Sequence, residues 1–291
     1  MTKPKGMTKA SIYNIAEISR QGFYQAKARL DQRRVLDESI LSQVRNFRKR
    51  DTMTGMRIMY HMLNVEAMGV NRFETLVSSH GLNAFVKKKR IVTTNGVRES
   101  IDKNLINGYV LEGINQVIVG DITYYEFKGQ WRYIITLKDA YSKKILGLGV
   151  FKKMTKENTL SVLLEAIEDR GALNLFGTIH HTDAGGQYKS TLYKSTLKQF
   201  GMRMSIAGNC LENGIAEQLN YIVKEHGLSI FQANSNSGLK RAIKDIKYFL
   251  NHTRPVEALG YRTPFEFEQW IKTLNKEQKP KQKLYDFEVE K

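Results

Sequence analysis

From Gln116 onward the sequence changes from helical to strand-like periodicity, and the order of elements that follows constrains the fold more than any other feature. The segments VIVGDITYYEF, WRYIITLKDAYS and KILGLGVFK predict three consecutive antiparallel strands joined by short turns. ENTLSVLLEAIEDR then predicts a helix capped by Thr155 or Asn158, and GTIHHTD predicts a strand. STLYKSTLKQF, RMSIA and a last helix around Glu217 complete the series. This order predicts an α/β domain with a mixed sheet.

Two of the predicted strands end in an aspartate. Asp121 lies in VIVGDITYY, and Asp183 ends GTIHHTD. Glu217 follows in the first turn of the last helix, so the three carboxylates meet if the strands are neighbours and the helix packs on the same sheet. Three converging carboxylates repel one another unless a cation lies between them. Carboxylate oxygens are the ligands of hard divalent ions, which indicates Mg²⁺ or Mn²⁺.

The helix from Gly208 to His226 has an apolar and a polar face at 100° per residue. Ile215, Leu219 and Ile222 fall on the first face. The second face carries Asn213, Glu217, Asn220 and Lys224. A polar helical face is most often simply solvated. Its functional interpretation therefore depends on the two upstream aspartates.

Five ordered blocks carry a resemblance to a known family. They are NQVIVGDITYY, LKDAYSKKILG, IHHTDAGGQY, GNCLENGIAEQLNYIVKE and YFLNHTRPVEALGYRTPFEFE. Together they resemble the catalytic core of bacterial DDE-type insertion-sequence transposases, specifically the second-frame (OrfB) product of elements of the IS-three type. That core is similar to retroviral integrase. The resemblance implies a ribonuclease-H-like catalytic core, preceded by a small all-α, helix-turn-helix-like region.

The resemblance also implies roles for individual residues. Asp121 would bridge two Mg²⁺ or Mn²⁺ ions, with Asp183 and Glu217 each completing the shell of one ion. Two ions of this kind stabilise the attacking and leaving oxygens of a phosphodiester. Lys224, seven residues after Glu217 and so roughly 10 Å further along an α-helix, would contact a DNA phosphate unless it is only a surface lysine. Asn213 would cap the helix or touch the substrate, and capping is the simpler role.

The sequence departs from the family pattern at several positions. Between Asp183 and Glu217 lie 33 residues where the family usually has 35. Ala184 stands where the family commonly has Arg, Ile118 where it often has Trp, and Val256 where it usually has His. None of these changes removes a predicted metal ligand. They leave open a diverged or repurposed copy.

Other acids and the two histidines compete for a role in the site. Asp139 and the acids around Glu165 are excluded by the motif match alone. His180 and His181 precede Asp183 in a strand, where alternation points them to opposite faces. At most one of them can face the site, and a satisfied core or rim histidine is the simpler interpretation.

The formal net charge of +17 predicts attraction to a polyanion. Nucleic acid is the first expectation, and a ribosome-like or merely basic protein is the alternative. The one cysteine, Cys210, excludes an internal disulfide and a Cys-based zinc site, which fits a reducing compartment. Without an apolar run of transmembrane length or a leader, we expect a cytosolic, nucleoid-associated protein.

Four regions are predicted along the chain. Residues 1–86 would form a helix-turn-helix-like DNA-binding region with Arg20, Gln21, Lys27 and Arg29 on or near its second helix, although an ordinary helical hairpin would look similar. Residues 87–109 would be a basic linker that contacts DNA through Lys87, Lys88, Lys89 and Arg90, or is only solvated. Residues 110–270 would be the catalytic core with a C-terminal helix, and residues 271–291 a flexible tail.

These features predict a DNA transposase that cleaves element ends and joins the 3′-hydroxyl to another DNA strand. The alternatives are a catalytically idle, domesticated DNA-binding protein and a simple metal-dependent nuclease of the same fold. Holding two DNA ends implies a homo-oligomer acting on element ends and target DNA. The resemblance further implies an upstream-frame OrfA partner or fusion.

Overall fold

The computed structural model describes Tyr13 and residues 17–85, 104–183, 185–208 and 210–285. The chain divides into two compact units, residues 1–84 and residues 85–291. No helix among the described residues is long and apolar enough to cross a membrane. The predicted DNA contacts Lys87, Lys88, Lys89 and Arg90 lie outside the described residues, as does Ala184.

Between residues 17 and 84, the first unit forms helices α1 (Arg20–Arg48), α2 (Met56–Met62) and α3 (Val70–Ser79). They bury a common core that includes Val44, Met59, Phe73 and Val77. Helix α1 runs for 29 residues without a break. Its N-cap Ser19 accepts a hydrogen bond from the Gly22 amide at 3.0 Å.

The residues predicted on or near the second helix of the helix-turn-helix-like region lie on α1. This helix begins at Arg20, where Ser19 caps it, and continues through Gly22. Arg20, Gln21 and Lys27 lie exposed on its first two turns. The helix that would precede it, from Ser11, falls almost wholly outside the described residues.

The second unit is built on a five-stranded mixed sheet. Its strands are β2 (Val117–Phe127), β3 (Gln130–Asp139), β4 (Ile145–Phe151), β5 (Ile179–Thr182) and β6 (Arg203–Ile206), in the order β4-β3-β2-β5-β6. β2, β3 and β4 form the predicted antiparallel meander, while β5 pairs in parallel with β2 and with β6. This is the predicted ribonuclease-H-like order.

Helices α4 (Lys156–Arg170) and α5 (Thr191–Gln199) cover one face of the sheet. Thr155 and Ser190 cap them by accepting hydrogen bonds from backbone amides. The contact of α4 with β4 is close, because a Cβ on Gly147 would lie 2.5 Å from the carbonyl oxygen of Val162. Only glycine allows this approach of helix and strand.

The opposite face is covered by a more irregular series of helices. It comprises α6 (Gly214–Tyr221), a π-helical segment (Ile222–Gly227), α7 (Leu228–Ile230), α8 (Asn236–His252) and α9 (Pro264–Lys272). Leu219, Val223 and Ile246 pack there against β3 and β4. A further cluster that includes Phe267 and Ile271 of α9 packs at the other end of the same face. This face carries the predicted carboxylates.

Two boundaries predicted for the second unit are wrong. A short strand β1 (Val110–Leu111) pairs antiparallel with β7 (Gln282–Lys283), so the chain is ordered well past residue 271. Leu284 is buried and the Tyr141 hydroxyl donates to the Pro280 carbonyl at 2.8 Å, which explains why this segment is not a free tail. Residues 104–109, assigned to the linker, also pack on the core through buried Ile106.

Candidate active site

Asp121 is held on β2 by two polar neighbours. It pairs across the ladder with Thr136 of β3, and paired residues of an antiparallel ladder point to the same face. On that face Asn220 of α6 donates its amide hydrogen to Asp121 Oδ2 at 2.6 Å. The Thr136 hydroxyl in turn donates to Asn220 Oδ1 at 3.1 Å. The orientation of the Asp121 carboxylate is therefore fixed by a buried amide.

Asp183 and Glu217 approach the same place from two other elements. Asp183 follows the last residue of β5, the parallel neighbour of β2, and is exposed. Its Oδ1 accepts a hydrogen bond from the Gly185 amide at 3.1 Å. Glu217 lies in the first turn of α6, one turn before Asn220, and is also exposed. Both side chains can change rotamer without disturbing the core.

Electrostatics links the three acids. The pKa of Asp121 is raised to about 7, chiefly by burial of the carboxyl, then by the charge of Asp183, with a smaller contribution from Glu217. The Asn220 hydrogen bond opposes this rise. A carboxyl with two further carboxylates in electrostatic reach releases its proton reluctantly until a cation compensates the charge.

The donor set suits a hard divalent cation, since it consists of two aspartates and a glutamate. In the conformation of the described residues, no three His, Cys, Asp or Glu side chains lie close enough together to hold a metal ion. Asp121 is engaged by Asn220, whereas Asp183 and Glu217 extend into solvent. The ligand types fit the ion, and Asp183 and Glu217 are the two that are exposed.

Asn213 and Lys224 do not lie as the straight-helix prediction expects. Asn213 occupies the N-cap position of α6 but makes no side-chain capping bond, so the predicted cap is wrong. It is buried and donates to the Gly120 carbonyl at 3.2 Å, which ties the start of α6 to β2 beside Asp121. Lys224 lies in the π-helical segment, whose wider turns change its angle relative to Glu217. Its Nζ donates to the Tyr124 carbonyl at 3.4 Å.

The competing acids are occupied by structural contacts. Asp139 is fully buried, accepts hydrogen bonds from the amides of Asn115, Tyr141 and Ser142, and lies 3.4 Å from Arg170. Glu165 pairs with Lys247 at 2.7 Å. These contacts remove both acids from the candidate site on geometric grounds.

The histidines before Asp183 are both buried, on opposite faces as predicted. His180 contacts the Tyr193 hydroxyl at 2.9 Å, and His181 contacts Ser205 Oγ at 2.8 Å. Burial lowers the pKa of His180 to about 3 and that of His181 to about 4, so both rings are neutral at physiological pH. They are core residues beneath the site.

Two residues at the site were not assigned a role from the sequence. Asn220 was placed on the polar face, yet it is buried and contacts Asp121. Tyr188 is fully buried, its hydroxyl has no hydrogen-bond partner among the described residues, and its pKa is raised first by burial and further by Tyr193, Asp121 and Asp183. The spacing of Asn220 three residues after Glu217 was the one signal available, since i and i+3 share a helical face.

The family model for the integrase core domain matches residues 112–210. A 31 kDa protein of insertion element IS600 from Shigella sonnei is 29% identical over 261 residues, covering 87% of this chain and 95% of that protein. The transposase of insertion sequence element IS904 from Lactococcus lactis subsp. lactis is 30% identical over 171 residues, covering 57% of this chain and 67% of that protein.

Among solved structures, the catalytic core domain of HTLV-2 integrase in complex with magnesium covers 57% of this chain and 99% of its own. The two are 21% identical, with a TM-score of 0.44. The family of this chain follows from its sequence relatives and the matched core domain. On that basis, the chain belongs to the family of insertion-sequence transposases that contain an integrase core domain.

Proposed function

We propose that this chain is a DDE-type transposase, which cleaves DNA strands at the ends of an insertion sequence and joins the resulting 3′-hydroxyl to another DNA strand. The single observation that carries the proposal is the placement of Asp121, Asp183 and Glu217 around one face of the sheet, where the charges of Asp183 and Glu217 add to the effect of burial on the Asp121 carboxyl. The three acids come from two neighbouring strands and a helix packed on them. Family membership supports the same reaction.

Asp121, Asp183 and Glu217 would hold Mg²⁺ or Mn²⁺, two ions per site, with Asp121 shared between them. When bound, such ions stabilise charge on the attacking and leaving oxygens of the phosphodiester. Asn220 keeps the shared carboxylate in one orientation through its 2.6 Å hydrogen bond. Asn213 supports the backbone beneath the site and is too buried to read DNA directly.

Several basic residues would contact DNA outside the metal site. Lys224 is half-buried on the element that follows Glu217, and its hydrogen bond to a carbonyl leaves the charge uncompensated. Arg20, Gln21 and Lys27 are exposed on α1, where they are available to a DNA backbone. Lys87, Lys88, Lys89 and Arg90 would add further contacts to the DNA backbone. The net charge of +17 favours such contacts.

The working form would be a homo-oligomer that holds two element ends and a target DNA. An upstream-frame OrfA protein, separate or fused, would supply recognition of the ends. Such a complex would act in the bacterial cytosol, at the nucleoid.

The experiment is strand cleavage and joining on a labelled duplex taken from the DNA that flanks this coding sequence, with Mg²⁺ or Mn²⁺. Wild-type protein is compared with Glu217→Gln, and with Gln218→Ala as a control at the next, exposed position of the same helix. We expect joined product from the wild type and the control, and none from Glu217→Gln.

Two results would separate the alternative functions. Cleavage without any joined product, with and without an OrfA extract, would indicate a simple nuclease. Equal DNA binding by all three proteins with no reaction under any condition would contradict the proposal and favour an idle DNA-binding descendant.

A further inference from the structure

Arg132 is a buried cation without an anionic partner among the described residues. Its side chain is on β3, only 5% exposed, and no described carboxylate lies within salt-bridge distance. Its guanidinium donates to Asn236 Oδ1 twice, at 2.8 and 3.2 Å, to Gln130 Oε1 at 2.9 Å and to the Trp131 carbonyl at 2.9 Å. Burying a charge against neutral acceptors alone is costly, so such a group normally has a counter-ion.

These four hydrogen bonds leave one N–H group of the Arg132 guanidinium without an acceptor among the described residues. A guanidinium has five N–H groups, and Nη1 uses only one of its two. The three neutral acceptors fix the plane of the group, and Asn236 in turn begins helix α8. The remaining N–H is therefore held in a fixed direction and can donate one charge-assisted hydrogen bond to a phosphate oxygen.

Arg132 lines an open cleft of about 500 Å³. Three further cations line it, Lys152 and Lys153 after β4 and Lys240 on α8, and none of the described lining residues is acidic. All three lysines are exposed and make no ion pair among the described residues. Helices α4 and α8 both begin at this cleft, and their N-terminal partial charges add to the positive potential.

The cleft lies within reach of a duplex bound at the candidate active site. Arg132 pairs with Tyr125, which is four residues after Asp121 on β2, so Arg132 shares the face of Asp121 about 13 Å along the strand. A DNA duplex carries a charge every ~1.7 Å of its axis. Several phosphates of one duplex can therefore lie near the cleft while another part of the DNA is at the carboxylates.

We propose that this cleft, formed by Arg132, Lys152, Lys153 and Lys240, is a second binding subsite for the phosphate backbone of duplex DNA, away from the candidate metal site. The inference rests on the proposed function only in its choice of DNA as the polyanion. Arg132 supplies a fixed contact, and the three lysines supply mobile point charges that follow the backbone. A second copy of this chain is a poorer occupant, because two such cationic clefts repel each other.

The test measures duplex binding in EDTA, where no reaction occurs, as a function of salt concentration. Lys152→Gln/Lys153→Gln/Lys240→Gln is compared with a charge-matched control, Lys198→Gln/Lys272→Gln/Lys276→Gln, whose lysines are exposed and outside the cleft. Each lost phosphate contact reduces the slope of log K against log [salt] by about 0.9. We expect a reduction of about 2 to 3 for the cleft variant and less than about 1 for the control.

Equal slopes for the two variants would overturn the proposal, since only net charge would then matter. Unchanged DNA binding with a shifted monomer–dimer equilibrium in sedimentation would also overturn it, and would assign the cleft to contacts between copies. Because binding is measured without metal, a protein that neither cleaves nor joins DNA can still pass or fail this test. Thermal unfolding of both variants checks that the fold is intact.

Discussion

At the residue scale, the pKa of Asp121 makes the stability of the metal-free protein depend on pH. The folded chain keeps a proton on Asp121 up to about pH 7, whereas the unfolded chain releases it near the ordinary value of 3.8. Between these values the folded state binds more protons, so the free energy of unfolding falls as pH rises. The contribution is fully present below pH ~4, is lost by about pH 7, and amounts to at most about 4 kcal/mol.

Asp121→Asn should remove this dependence. In EDTA we expect the variant to be more stable than wild type at pH 8 and to lose less stability between pH 4 and 7. Urea unfolding followed by tryptophan fluorescence measures this in the second unit, because Trp131 and Trp270 both lie there. Asp245→Asn, an exposed acid on α8, is the control.

Added Mg²⁺ should stabilise wild type and not Asp121→Asn, and equal stabilisation of the two would count against Asp121 as a ligand.

Asn220 acts on the site through Asp121, so its replacement should affect metal use as well as stability. Asn220→Leu leaves the Thr136 hydroxyl and Asp121 Oδ2 without their partner, at a cost of about 1–3 kcal/mol. We expect joining activity to fall about 10- to 100-fold and to need more Mg²⁺. Gln218→Leu, exposed on the same helix, serves as the comparison. Reduced stability with an unchanged Mg²⁺ dependence would show a purely structural role.

The three acids were predictable because each follows or lies within a strongly patterned element. The partner of Asp121 was not, since burial of Asn220 depends on how α6 lies on Thr136 of a distant strand. Helical periodicity gives the angle of a residue about its helix axis, and it does not give the surface that the helix meets. The same limit explains the wrong cap at Asn213, which reaches Gly120 instead of its own helix.

At the scale of elements, the π-helical segment Ile222–Gly227 lies between α6 and α7 and is fixed by close packing on α8. A Cβ on Gly227 would lie 2.8 Å from Ile246 Cγ2. Gly227→Ala should therefore cost about 1–3 kcal/mol of unfolding free energy. At Gly214, the first residue of α6, a Cβ would meet nothing within 4 Å, so Gly214→Ala should be neutral or slightly stabilising.

Urea unfolding of the two glycine variants, again followed by tryptophan fluorescence, measures this difference. If Gly227→Ala and Gly214→Ala lower the free energy of unfolding equally, the effect comes from helix propensity and not from the contact of residue 227 with Ile246. Lys224 lies within this segment, so Gly227→Ala should also weaken DNA binding if the π-helical turn orients that lysine.

Helices and strands were predicted correctly where a single helical or strand-like hydrophobic periodicity continues along the whole element. The meander of β2, β3 and β4 and the Thr155 cap of α4 match the sequence prediction. The change from α to π winding after Tyr221 has no signal in the sequence pattern. Gly22 lies in the first turn of α1, where its amide donates a hydrogen bond to the N-cap Ser19.

At the scale of the whole molecule, the segment around Leu284 packs on the core of the second unit, although it was predicted to be part of a flexible tail. Leu284 is buried in the cluster that contains Phe267 and Ile271, and the next residue, Tyr285, is 66% exposed. Leu284→Ala should cost about 2–4 kcal/mol, while Tyr285→Ala should cost little. Thermal unfolding of the two variants measures the difference. Similar values would indicate that the segment does not contribute to the cooperative unit.

Leu284 is a single apolar residue in a lysine-rich segment, so it forms no periodic hydrophobic pattern. For this reason the packing of the segment on the core could not be predicted. Its pairing partner, β1, lies about 170 residues earlier in the chain and has only two residues of its own. A pairing so short and so distant is specified by the core that both strands cover.

The pairing of β1 with β7 also determines how the second unit responds to tension. Val110 faces Lys283 across the ribbon, so the chain enters and leaves at the same end of the two strands. A force applied between these points opens the hydrogen bonds one pair at a time, which requires far less force than shearing them together. Tension on the C-terminal side of β7 would thus detach β7 before the five-stranded sheet that carries Asp121.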